Sequence, residues 1–157
     1  MPVLRLNNFL PYLVNRIGPP IEDGFAGPLA DAGITLQMWR VLAVLHEYGD
    51  QSIGALSQLT SIRISTLSRL VSRMTKKGLV SRRRDGDDAR SVTVHLLKSG
   101  ASKAEMLIPY AAEYEKRLTR DFTEAELAMF KHLLVKFYEG LDGSRDHAAD
   151  DEERLAG

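Results

Sequence analysis

Between Arg63 and Leu97 the spacing of apolar residues changes from a helical to a strand period, and this change limits what the chain can fold into. In RISTLSRLVSRMTKKGLV, Leu67, Leu70, Val71 and Met74 fall at i, i+3, i+4 and i+7, the stripe that one helix face turns toward a core. Ser65, Arg69, Ser72 and Lys76 point roughly the opposite way, flanked by Thr66, Ser68 and Arg73. Then SRRRDGDDARSVTVHLL switches to alternation: Val92, Val94 and Leu96 interleave with Thr93, His95 and Leu97. The partner run Leu79–Arg84 ends at the turn formers Asp85-Gly86-Asp87, which predicts a hairpin with its tip at 85–90. A face of short hydroxyls and arginines lets a helix backbone approach a surface closely while guanidinium groups reach base edges or phosphates. No carboxylate interrupts that face.

Charge is concentrated in the same window. From Arg63 to Arg90 there are nine Lys/Arg against three acids, a net +6, whereas the whole chain is at +0. Residues 142–157 carry six acids against Arg145 and Arg154. One basic stripe on a neutral protein raises local affinity for phosphate without making the whole molecule adhesive. A solvated helix face is the ordinary explanation of a basic run, but the adjoining hairpin pattern argues against it here.

At 157 residues the chain has room for one domain of ordinary size. It has no cysteine, which excludes disulfides and thiolate metal sites. The longest uninterrupted apolar run is Val41 to Leu45, far short of a bilayer span, and MPVLRLNNF has no signal-peptide core. A cytoplasmic protein is expected. His46, His95 and His132 are dispersed, and Asp85, Asp87 and Asp88 lack calcium-loop spacing, so no metal is expected. Ser61, Ser65, Ser68 and Ser72 have no partnered base, and neither a Gly-rich phosphate loop nor a nucleophile elbow occurs. Neither enzymatic activity nor a cofactor is expected.

Flanking segments read as further helices. Residues 8–17 can begin one with Asn8 as cap and Pro11 in its first turn, and Gly18-Pro19-Pro20 is expected to interrupt it before a second piece at 21–32 that stops at Gly33. Thr35 caps LQMWRVLAVLHEY, with Leu36, Trp39, Leu42, Ala43 and His46 at helical spacing, and Gly49 ends it. Ser52 caps a short helix to about residue 59. A long helix over about 99–120, with a kink at Pro109, is followed by the capping-box sequence Thr123-Glu124-Ala125-Glu126 and a last helix to about Gly140. The acidic residues 142–157 are expected to be disordered.

The fold class that follows is mainly α with a small β-hairpin wing. A winged helix-turn-helix core at 35–97 is joined by terminal helices at 8–32 and 99–140 whose apolar stripes that core cannot cover. A second copy is the economical cover, because a twofold dimer also sets two reading helices about 34 Å apart, one turn of DNA.

This arrangement resembles the MarR family of winged helix-turn-helix regulators over roughly residues 35–140. STLSRLVSRMTKKGLVSR (Ser65–Arg82) is similar to the family's recognition helix, its closing glycine and the first wing strand. DGDDARSVTVHLLKSG (Asp85–Gly100) looks like its wing signature, although Ala89 stands where a second basic residue is usual. The resemblance implies that Ser65, Thr66, Ser68, Arg69 and Arg73 approach the major groove of double-stranded DNA or its phosphates; Ser72, on the same helix face, is a further DNA-binding candidate, and a pseudo-palindromic operator is expected. It implies that Arg82 and Arg84 line the phosphate-facing wing strand, and that Arg90, braced by Asp88, is the wing-tip arginine. It further implies a homodimeric repressor released by a small aromatic or anionic effector. Tyr12, Arg16 and Trp39 are candidate pocket residues, with a core position the ordinary explanation for Trp39. The competing function is a winged-helix module for protein association, which would more often expose apolar side chains where Arg69 and Arg73 stand.

Overall fold

The computed structural model describes residues 5–84 and 92–155, with Arg84 and residues 142–155 described by backbone alone. Contacts gather the chain into two units, one ending at Tyr114 and one beginning at Glu115.

The first unit opens with a tight turn at Leu6–Asn8, after which α1 runs from Leu10 to Asp31. Asn8 is therefore taken up by the turn, and Phe9 holds the cap position without a side-chain cap bond, contrary to the expected cap. Nor is α1 broken at Gly18-Pro19-Pro20; it is one helix with Pro19, Pro20 and Pro28 inside it. Two features make this tolerable. Pro19 and Pro28 follow Gly18 and Gly27, which lack the Cβ that a following proline ring would press on in a helical backbone. The carbonyls that lose a donor, those of Asn15, Arg16 and Gly24, belong to exposed residues within reach of water. Gly33, at φ +67°, then closes the helix, and the Ile34 amide donates to the Leu29 carbonyl at 3.1 Å.

The next helices are α2 (Leu36–Tyr48), capped by Thr35, whose hydroxyl accepts from the Met38 amide at 3.3 Å, and α3 (Ile53–Thr60), capped by Ser52. The buried face of α2 is Met38, Val41, Leu42 and Leu45. The sequence stripe was centred too far round the helix, since His46 is exposed and Trp39 only half-buried. Both sets have helical spacing, because α2 is apolar over much of its circumference. Helix α4 (Ile64–Lys76) buries Leu67, Leu70, Val71 and Met74, the four expected.

Gly78, at φ +68°, turns the chain from α4 into β2 (Val80–Arg84), which pairs antiparallel with β3 (Val92–Leu96) in the register Val80↔Leu96, Arg82↔Val94, Arg84↔Val92. A third strand absent from the sequence reading, β1 (Gln51–Ser52), pairs with the far edge of β3, giving the order β1-β3-β2. Beside it His95 Nδ1 lies 2.7 Å from Asp50 Oδ2. The tip expected at 85–90, with Asp88 and Arg90, lies outside the described residues.

Helix α5 (Lys98–Leu118) runs unbroken through Pro109 and docks its first turn on the α4–β2 corner. The Ser99 hydroxyl donates to the Gly78 carbonyl, and Gly100 lies against the Leu79 backbone. Farther along, Tyr114 stacks on Phe25 with ring centroids 5.9 Å apart, and its hydroxyl donates to the Ile21 carbonyl at 2.8 Å.

In the second unit α6 spans Glu124–Leu155. The capping box at its start is complete: the Thr123 amide donates to Glu126 Oε2 at 2.8 Å and the Glu126 amide to the Thr123 hydroxyl at 3.3 Å. These bonds hold the Glu126 carboxyl below the usual glutamate range, the Thr123 backbone amide contributing most. α6 passes Gly140, the end expected from the sequence, and runs to Leu155. No proline or β-branched residue follows Val135 to interrupt it.

Candidate nucleic-acid interface

Burial of the apolar stripe of α4 decides what its other faces can do. Ser65, Thr66, Arg69, Arg73 and Lys76 are exposed, as the sequence predicts. The cap residue Arg63 makes no side-chain cap bond, and the first turn of α4 carries no acid. The amides that open the helix are thus left without a carboxylate competitor, a polarity that suits phosphate.

Ser68 and Ser72 are placed differently from their neighbours. Both are half-buried, and the Ser72 hydroxyl donates back to the Ser68 carbonyl at 2.9 Å. That carbonyl also accepts from Arg82 Nη2 of β2 at 2.5 Å. Helical spacing predicts Ser72 opposite the buried stripe and the family resemblance implies Arg82 on the phosphate-facing wing strand, and neither indicates that the two elements meet at one backbone oxygen. Fourteen residues separate Ser68 from Arg82, so no local pattern could have revealed it. Arg82 and Arg83 are both exposed on this strand, and Arg84 ends it.

Trp39, Arg40, Ala43 and Val44 of α2, with Leu59, Thr60 and Ser61 at the end of α3, line an open cavity of about 450 Å³. Trp39 meets Phe25 edge-on at 5.8 Å, and Arg40 pairs with Glu22 of α1 at 3.5 Å. Tyr12 and Arg16 stand exposed on α1 and do not line this cavity. Ser61 ends α3 in the left-handed region at φ 56°.

Three helices leading to a recognition-type helix and a three-stranded wing define a winged helix-turn-helix protein. The MarR family model matches residues 34–92, the stretch that holds this winged helix-turn-helix. It is 38% identical over 92 residues to the HTH-type transcriptional regulator YsmB of Bacillus subtilis, an alignment covering 59% of this chain and 63% of that protein's length. The HTH-type transcriptional repressor IacR of Pseudomonas putida is 25% identical over 138 residues, covering 88% of this chain and 83% of the relative. Among solved structures, a mutant of Escherichia coli MarR complexed with operator DNA superposes with a TM-score of 0.74 at 25% identity, over 82% of this chain and 92% of that one. Among the described residues no helix is long and apolar enough to cross a membrane.

Proposed function

We propose that this protein is a homodimeric, sequence-specific DNA-binding repressor whose α4 enters the major groove of a pseudo-palindromic operator. The carrying observation is the exposed Ser65, Thr66, Arg69 and Arg73 face of a helix whose opposite face is locked into the core. Hydroxyls and the Ser68–Ser72 edge permit close approach, and Arg69 and Arg73 supply donors for guanine edges or phosphate, with Arg84 and Arg90 as further candidate phosphate contacts. The relative with DNA in its structure and the relative named as a repressor support this assignment.

Dimerisation is supported by uncovered stripes in each unit. Leu10, Leu13, Val14, Ile17 and Ile21 of α1 are exposed at helical spacing, as are Phe130, Leu133, Leu134, Phe137, Tyr138 and Leu141 of α6. Apolar rows of that length mark an interface more often than a free surface.

The DNA reading is tested by selecting duplexes from a random pool with the full-length protein and remeasuring the best one with Arg69→Ala and Arg73→Ala. A base-reading arginine should cost about 1–3 kcal/mol at its own base pair. Equal affinity of the wild type and both variants would contradict the assignment.

The effector is assigned to the cavity beside Trp39, where a ring can lie against the indole and a ligand carboxylate can compete with Glu22 for Arg40. A ligand there would have to favour the DNA-incompetent arrangement by ~1–3 kcal/mol to release the operator clearly. Small aromatic carboxylates at millimolar concentration should change both Trp39 fluorescence and operator affinity. No response in either from a metabolite panel would identify a constitutive binder.

A further inference from the structure

Arg82 stands on the face of the wing that looks back at the helices. Residues directly opposed in an antiparallel pair share a face, and Arg82 opposes Val94, which is fully buried. Val80, two residues earlier on the same side of β2, is likewise in the core. Arg83, opposed to Thr93, projects from the other face. Arg82 is itself exposed, and its guanidinium leaves the edge of the apolar layer to end on the Ser68 carbonyl, in the second turn of α4. A cationic donor on a backbone carbonyl is a charge-assisted bond, stronger than an ordinary neutral one.

We propose that Arg82 is a positioning residue that sets the wing against the recognition helix through the Ser68 carbonyl and does not hold phosphate. The inference rests on the reading of α4 as the DNA-reading helix, and it replaces the expectation that Arg82 belongs to the phosphate-facing line. The covalent path from α4 to β2 passes through Lys77, Gly78 and Leu79, where the backbone turns at a positive-φ glycine. Burial of Val80 and Val94 in the core and the pairing of β3 with β1 also hold the sheet to the helices. The Arg82 bond adds a directional side-chain attachment, reaching from the third residue of β2 to the second turn of α4. Sequence-specific binding needs helix and wing in their two grooves at one fixed separation, whereas attraction to random DNA needs only positive charge.

The two roles differ in their salt dependence. A phosphate ligand that is removed lowers the slope of log affinity against log salt by about 0.9, and it weakens random and specific duplexes alike. A positioning residue that is removed weakens the specific duplex and leaves the slope alone. The test measures the wild type, Arg82→Gln and Arg69→Ala on the selected duplex and on random duplex across a salt series, with thermal midpoints alongside. Arg82→Gln should lose on the order of tenfold for the selected duplex, with unchanged slope and unchanged random-duplex affinity. Arg82→Met, which keeps the aliphatic stem over the core face, serves the same comparison if the glutamine variant fails to fold. A slope reduced by about 0.9 with equal loss on both duplexes would make Arg82 a phosphate ligand and overturn the proposal, as would unchanged affinity for the selected duplex. A wild-type protein that selects no duplex overturns the underlying DNA reading, and the positioning role falls with it.

Discussion

Gly100 lies directly against the carbonyl oxygen of Leu79, with no space between them for a side chain. The Leu79 oxygen cannot swing aside, because it accepts the Leu97 amide at 3.1 Å while the Leu79 amide donates to the Met74 carbonyl at 3.0 Å. The close approach fastens the first turn of α5 to the corner where α4 ends and the wing begins. Gly100→Ala should therefore destabilise the protein by roughly 1–3 kcal/mol, the usual cost of forcing extra volume into a packed site. Denaturant melts of the two proteins check it, and equal stability would mean that the corner is free to open.

Glu126 provides a pH signature confined to the second unit. Its carboxyl is held below the ordinary range chiefly by the Thr123 backbone amide and then by the Thr123 hydroxyl, so its contribution is fully present above the unfolded glutamate value, about 4.3, and is lost as pH falls through the lower folded value. Carbon-detected NMR titration should place Glu126 below the other exposed glutamates. Thr123→Ala should move it only part of the way back, since the amide donor survives. An unshifted Glu126 in the wild type would show that the capping box does not persist in solution.

The exposed rows on α1 and α6 predict a dimer of about twice 17.5 kDa in sedimentation at micromolar concentration. Removing residues 142–157 should leave that mass ratio unchanged, because the described apolar row ends at Leu141. A monomer before truncation would refute the interface.

What the sequence disclosed follows from the range of the interactions concerned. The α4 stripe was legible because burial repeats every turn, and the Thr123–Glu126 box because both partners sit three residues apart. Helix α1 differs from the sequence expectation where Gly-Pro pairs look like stops; glycine before Pro19 and Pro28 lessens the clash that normally makes them so, whereas Pro20 follows Pro19 and has no such relief. The buried face of α2 was set off-centre because an apolar helix offers several stripes, and only packing chooses among them. Two-residue β1 is too short to show a period. In the candidate site the exposed arginines Arg69 and Arg73 were legible as a face, whereas the Arg82–Ser68 contact depends on strand register and exists only in three dimensions.

The central claim, that two copies of α4 read one duplex, is tested most directly by chemical footprinting of the purified protein on its selected duplex. Two protected major-groove segments should appear with centres about one helical turn apart, on one face of the DNA, and Arg69→Ala should weaken both together. A single protected segment, or protection unaffected by Arg69→Ala, would contradict the account.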